Sequence, residues 1–383
     1  MRHAPSERLR EAVGEERLRT YPMLIVVVAL VAWLGWLGLS HQRIDPAGKA
    51  VGADFVAFHS AGTLVWDGRA PAVYDQEALE QAVLATAPVA NPHLPVHYPP
   101  PALLGFAVPA ALPYEAGLLL WTALSLGSVL TALWALGTGP LGGRWALAYP
   151  GVLLTVFNGQ TSGFVLGLLG TAMGLLATRP AVAGAVLGGL VFKPNYLGLA
   201  LLALAVGREW RALAAAIASA VGACALAWGV LGAATWSAWL AQADEVRGLL
   251  GSGALPVEKM PTVFAALLQL GVPAGPAQLV QAGVAVGATV AVCAVWWRGS
   301  DGSVRAGALA AGTLLVTPFA FDYDLALGWL AIAALASGAR TRAELGLAAV
   351  SWALPLAVPL LAFVHLPLAP VVWMLVLAAL VRR

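Results

Sequence analysis

Between Pro99 and Val206 this chain carries only four charged side chains: Glu115, Arg144, Arg179 and Lys193. So long a stretch with so little charge cannot be covered by polar surface in water, but it suits a bilayer, which favours apolar side chains and penalises charge. The whole chain agrees, with 60% hydrophobic and 10% charged residues, where soluble domains hold about 45–50% and about 25%. Helices satisfy their backbone hydrogen bonds within one segment, so the pattern predicts an all-α polytopic membrane protein. The 42 Gly and 25 Pro then read as close helix contacts and broken helices rather than disorder.

The same composition removes several functions. A net charge of +2 without a basic tract offers nucleic acid no footprint. Two cysteines, Cys224 and Cys293, make neither a disulfide framework nor a zinc site. No phosphate-binding loop, dinucleotide fingerprint or zinc-protease helix motif stands out, which predicts a substrate that arrives already activated.

Residues 1–20 read as a charged, amphipathic cytoplasmic segment and 21–383 as a single transmembrane domain. The first span covers 21–39 and leads to a long outer loop over 40–98, which holds six acids and three bases. Apolar stretches follow near 100–112, 115–137, 145–157, 160–177 and 180–206, several of them too short for a simple crossing, which needs about 20 residues. A span over 212–234 leads to a second outer loop over 235–259. Further segments lie near 261–271, 277–297, 306–317, 324–338, 344–364 and 368–381. One of the pair 261–271 and 277–297 is expected to be a partial or re-entrant helix. The total is about 11–13 membrane segments. Basic residues before the first span, at Arg208 and Arg211, from Arg298 to Arg305, and at Arg340, Arg342, Arg382 and Arg383 predict cytoplasmic ends and turns. Both termini then lie inside, and Asp54, the second loop and the turn TPFAFDYD at 317–324 share the outer face.

That leaves few side chains for chemistry. Asp54 opens a stretch of helical spacing, DFVAFHSAG. It suits a general base for an acceptor hydroxyl, and equally a helix cap or solvated acid. His93 and His97 are four apart, but the surrounding prolines oppose a helical metal pair, and a stiff turn offering His97 or Tyr98 to a substrate fits better. Asn158 and Gln160 interrupt two apolar segments, either as a self-satisfied turn or as binding amides. Lys193 sits beside Pro194 and Asn195 in VFKPNYLG, where it must snorkel, pair with an acid or hold an anionic phosphate. Asp322 and Asp324 suit a divalent ion, sugar hydroxyls or a cap, with Asp322 at the N-cap position. Glu258 and Lys259 read as an exposed ion pair, with Lys259 a further phosphate candidate.

Five segments in this order, GADFVAFHSAGTLVWDGRAPAVYD, HYPPPALLGFAVPAALPYEAGLLLW, FNGQTSGFVLGLLG, AGAVLGGLVFKPNYLGLALLAL and TPFAFDYDLALG, give the chain its resemblance to a known group. It resembles the integral-membrane GT-C glycosyltransferases of family 87, which include polyprenol-phosphate-mannose-dependent mannosyltransferases. The resemblance implies a GT-C type bundle in a bacterial plasma membrane. It also implies an inverting transfer of a sugar, mannose foremost, from a polyprenyl-phosphate donor to a lipid-linked or glycan acceptor. Asp54 matches the catalytic aspartate of the first outer loop. His59, His97, Tyr98, Asn158, Gln160, Lys193, Asn195, Asp322 and Asp324, with Lys259 from the second loop, are the implied substrate-binding candidates. The partners implied are the donor, the acceptor and bilayer lipids, with no metal and no cofactor. A lipid or lipid-linked-sugar transporter is the alternative, and the long outer loop, which a transporter does not need, favours the transferase.

Overall fold

The structure, a computed structural model, describes residues 14–242, 248 and 256–383. Helices α1 (Glu15–Gly38), α2 (Phe55–Trp66), α3 (Gln76–Thr86), α4 (Pro100–Ala110) and α5 (Tyr114–Ala135) come first. Then follow α6 (Pro140–Leu147), α7 (Pro150–Phe157), α8 (Ser162–Leu175), α9 (Pro180–Gly188), α10 (Pro194–Val206) and α11 (Trp210–Ala241). The chain continues through α12 (Val263–Gln269), α13 (Ala274–Trp297), α14 (Gly302–Val316), α15 (Trp329–Ser337), α16 (Arg342–Phe363) and α17 (Ala369–Val381). Extended pairing among the described residues is limited to isolated bridges at His41–Ile44 and Ile44–Ala50. The protein is therefore an all-α polytopic membrane bundle.

Five helices, α1, α5, α11, α13 and α16, are long and apolar enough to cross a membrane. A 24-residue helix such as α13 spans about 36 Å at 1.5 Å per residue, more than the hydrocarbon core. The shorter apolar helices pair across three breaks. Asn158–Thr161 separates α7 from α8, Lys193 separates a 3₁₀ turn after α9 from α10, and residues 317–328 separate α14 from α15. Each break has a residue that stops a helix: Gly159 in the left-handed region (φ 58°), Pro194 after Lys193, and Pro318. The 3₁₀ turn Asp322–Gly328 packs on α7, α8 and α14, and the 3₁₀ turn Gly189–Phe192 packs on α8. Thus the breaks meet inside the bundle, where freed backbone groups find partners instead of lipid.

Small residues let the pieces approach. A Cβ on Gly163, Gly167, Gly170 or Gly174 of α8 would run into Ser125, Ser128, Ala132 or Ala135 of α5. That three- or four-residue spacing puts one bare stripe of α8 against its neighbour.

The outer loop is a folded unit with a core of its own. Phe55, Val56, Phe58, Leu64, Val73, Leu79 and Val83 bury against Leu103 and Phe106 of α4 and Trp121 of α5. Burying one such side chain stabilises by about 1.5–3 kcal/mol. Asp75 caps α3 by accepting from the Ala78 amide at 2.9 Å, and Arg43 closes the loop onto α5 through Glu115 at 2.7 Å. A mobile linker would have none of these features.

The structure differs from the sequence expectations at several boundaries. α1 starts at Glu15, so the last charged residues of the expected amphipathic segment are the first turns of the span itself; residues 1–13 lie outside the described ones. α11 runs to Ala241 rather than ending near 234, because Gly232 (φ 77°) redirects it. Past that kink Ala238 and Trp239 pack on the outer-loop core. The expected second loop is therefore helical at its start, and its acids Asp244 and Glu245 lie outside the described residues. Of the pair 261–271 and 277–297, the short one is the first: it is the seven-residue α12, capped by Thr262, which accepts from the Ala265 amide at 3.1 Å.

Candidate active site

The turn FNGQTS between α7 and α8 organises the site. Gly159 lets the chain reverse where a Cβ would strike Gly52 and Phe55, and Trp121 donates its indole N–H to the Gly159 carbonyl at 2.8 Å. The reversal sets two side chains against two different aspartates. Gln160 Nε2 donates to Asp54 Oδ2 at 2.7 Å, and Ser162 Oγ donates to Asp324 Oδ1 at 2.6 Å.

Asp54 stands just before α2, and its own amide donates to the Asn158 carbonyl at 3.1 Å. Its side chain makes no capping bond to that helix, which removes the cap explanation. It is partly accessible, and its Oδ1 takes no hydrogen bond from the described residues. Burial pushes its carboxyl above the usual aspartate range, against the opposing pull of Gln160 and of Lys259 and Lys49. Tyr98 completes this side: its hydroxyl meets Thr161 Oγ1 at 2.9 Å, and Gln160 is itself 6% exposed.

Asp324 is arranged differently. It is 3% exposed and accepts from Lys193 Nζ at 2.6 Å, from Ser162 at 2.6 Å and from the Phe321 amide at 3.0 Å. Lys193 also lies over the Tyr196 ring, 4.8 Å from its centroid. Of the three fates open to Lys193, pairing with an acid is the one observed. Asp322, 8% exposed, accepts from the Tyr323 amide at 2.8 Å and lies within electrostatic reach of Lys259. Asp322 is the first residue of its helical turn and not the N-cap, a position held by Phe321, while Asp324 accepts the Phe321 amide. No group of three His, Cys, Asp or Glu side chains that could hold a metal ion occurs among the described residues.

Lys259 is the cation closest in influence to Asp54, and beside it stands Lys49 from the outer loop. The repulsion between the two ammonium groups pulls Lys49 below the usual lysine range. Two ammonium groups held together are unfavourable unless an anion sits between them. Lys49 escaped sequence reasoning because it is separated from Lys259 by the entire middle of the chain. Ser162 was missed as well, although its place beside Gln160 in FNGQTS was the available signal.

The side chains of the other predicted residues are engaged away from the Asp54 carboxylate. His59 Nε2 faces the Leu112 carbonyl at 3.1 Å and its ring packs edge-on against Tyr114. His97 is tied to the end of α11 through Gln242 at 3.4 Å. Asn158 spends its amide on the Leu154 carbonyl at 2.8 Å, and Asn195 reaches Thr317 Oγ1 at 3.2 Å. Asp54, Tyr98, Gln160, Lys193, Lys259, Asp322 and Asp324 are brought together.

Residues 97–318 match the family model for glycosyltransferase family 87, more than half of the chain. The chain belongs to glycosyltransferase family 87. The matched part of this family 87 member contains the HYPP, FNGQTS and FKPN segments, Lys193 and Lys259. Asp54 lies well before it and the acids of FDYD fall just beyond its end, so their place rests on the geometry above. No curated protein and no solved structure matches the chain significantly.

Proposed function

We propose that this family 87 member is an inverting glycosyltransferase. It moves a sugar, mannose foremost, from a polyprenyl-phosphate donor to a hydroxyl of a lipid-linked or glycan acceptor. The reaction takes place on the extracytoplasmic face of a bacterial plasma membrane, with both termini cytoplasmic. The observation that carries this reading is one carboxylate, partly open and held by a single side-chain hydrogen bond, standing beside two lysines.

In this scheme Asp54 removes the acceptor hydroxyl proton as that oxygen attacks the anomeric carbon. The bond from that carbon to the phosphate oxygen breaks, and polyprenyl phosphate leaves with the electron pair. Attack opposite the leaving group inverts the centre, so a β-linked donor gives an α-linked product. General-base assistance is worth about 10²–10⁴ in rate. The phosphate gains charge as it leaves, and Lys259 and Lys49 answer that charge. Lys193 serves this reaction at one remove, by holding Asp324 and through Ser162 the turn that carries Gln160. In the same scheme Asp322 and Tyr98 bind sugar hydroxyls.

The test is transfer by the purified protein in nanodiscs, supplied with labelled polyprenyl-phosphate mannose, glucose or arabinose and a lipid acceptor extract. Label should pass to the acceptor from one donor, and Asp54→Asn should lower this transfer by about 10²–10⁴. Movement of intact labelled donor between leaflets, with no product formed, would instead establish a transporter.

A further inference from the structure

A cavity lies at the other end of the bundle. α10 begins beside Lys193 and ends at Val206, about 20 Å away by helix rise. α14 likewise begins at Gly302 and ends just before the turn that holds Asp324. The segments Gly207–Arg208 and Arg298–Arg305 therefore sit one helix length from Lys193 and from the turn that holds Asp324. A cavity of about 300 Å³ opens between them, with Arg208, Arg305, Trp296 and Trp297 in its walls. It shares Val206 and Trp297 with an adjoining groove of about 460 Å³, which continues along α13 past Cys293 and Val290 to Thr289.

The basic side chains there are placed with care. Arg305 lies over the Trp296 ring at 4.1 Å and donates to Glu209 at 2.9 Å, while its buried Nε has no partner. Gly207 is required for this arrangement, because a Cβ there would strike the Arg305 guanidinium and the Trp296 ring. Arg298 is pinned by the Ala294 and Val381 carbonyls at 3.1 and 2.8 Å, as expected of an arginine closing a helix. Arg208 does no such work. Its side chain makes no hydrogen bond or ion pair with a described residue, and it rests on the exposed Trp297 ring at 4.8 Å, with its backbone in the left-handed region (φ 59°). Three arginines stand against two acids, Glu209 and Asp301, so the cavity mouth keeps a net positive charge.

From the bundle end inward the order is arginine, tryptophan, then aliphatic groove. That is the order of a phospholipid entering from the adjacent leaflet: phosphate, interfacial glycerol, acyl chain. Basic pockets between membrane helices hold anionic headgroups in this way, and tryptophan favours the interface between them and the hydrocarbon. We propose that the cavity and groove together bind one phospholipid with an anionic headgroup, its phosphate between Arg208 and Arg305 and one acyl chain along α13. The charge of the mouth selects an anionic over a zwitterionic headgroup.

Native mass spectrometry of the purified full chain, with phosphatidylglycerol and phosphatidylcholine added in equal amounts, reads this selectivity without reference to sugar transfer. The first bound lipid should favour phosphatidylglycerol by about five-fold, the factor expected of one arginine at an anionic surface. Arg208→Asn, chosen because asparagine tolerates the left-handed backbone, should bring the two lipids to near parity. A second reading uses Cys224→Ala protein, whose sole thiol is Cys293: phosphatidylglycerol should slow its labelling by an apolar maleimide more than phosphatidylcholine does. Equal retention of the two lipids by the unaltered protein would overturn the proposal, as would an undiminished preference in Arg208→Asn. Displacement of the lipid by glycerol phosphate at matching concentration would also overturn it, since that would mark a site for a free anion.

Discussion

Asp54 and Asp324 hang from the same reversal of chain, one through Gln160 and the other through Ser162, yet their surroundings are opposite. Asp324 is enclosed, faces an ammonium and receives three hydrogen bonds. Asp54 is partly open, receives one side-chain hydrogen bond and is raised in pKa by burial. A carboxylate saturated with donors is a poor base, because every donor stabilises its charged form. One with a spare oxygen and a raised pKa can accept a proton. On the proposed reading, donor count, more than depth in the bundle, separates the structural acid from the reactive one.

The sharpest way to break that comparison is to exchange the amide for the acid at each position. Asp54→Asn should lower transfer by about 10²–10⁴ in an assay of labelled donor, while leaving thermal unfolding unharmed. Its raised pKa means that the folded protein binds the proton more tightly than the unfolded chain does, so ionised Asp54 subtracts stability at neutral pH. Loss of activity together with a collapse in melting temperature would mean that Asp54 is structural too.

Lys193→Ala should act the other way. It strands a buried carboxylate, at a cost of about 3–5 kcal/mol, read as a lowered unfolding midpoint in detergent. Replacing both partners with apolar residues, Lys193→Met with Asp324→Leu, should recover part of the loss. A normal midpoint with weakened donor binding would return Lys193 to the role of phosphate ligand.

Lys259→Ala should raise the donor KM about ten-fold, as loss of one charge-assisted hydrogen bond of about 1.5 kcal/mol predicts. Lys49→Ala should cost less, since removing it also relieves the repulsion with Lys259. An unchanged KM in both variants would place the phosphate elsewhere.

The smallest effect is the position of the acid limb. Transfer should fall as pH drops through a midpoint above the ordinary aspartate range, because protonated Asp54 cannot act as a base. Gln160→Leu removes a donor that favours the carboxylate and should move that midpoint further up. A midpoint that ignores Gln160 would dissociate the limb from Asp54.

Much of this is legible in the sequence. The scarcity of charge set the all-α membrane class, and the helix ends α13, α16 and α17 fall within a few residues of the apolar segments. Gln160 and Lys193 stood out because polar groups within apolar runs demand partners. What escaped has a common cause. The continuation of α11 past Gly232 depends on packing against the outer-loop core, and His59, for all its helical spacing from Asp54, turns toward Leu112 because Tyr114 and Phe55 enclose its ring. Local spacing orders side chains around one helix but says nothing of which neighbour each face meets.

The sequence by itself determined that this chain lives in a bilayer, that its helices are broken near Asn158, Lys193 and Pro318, and that only a handful of charges are available for chemistry. These follow from transfer free energy and backbone geometry, which act residue by residue. Tertiary structure alone decided that Lys193 belongs to Asp324, that Lys49 stands beside Lys259, and that Asp54 keeps an oxygen unengaged. Those are pairings between residues far apart in the chain, and a charge has no assigned partner until folding brings one within a few ångströms.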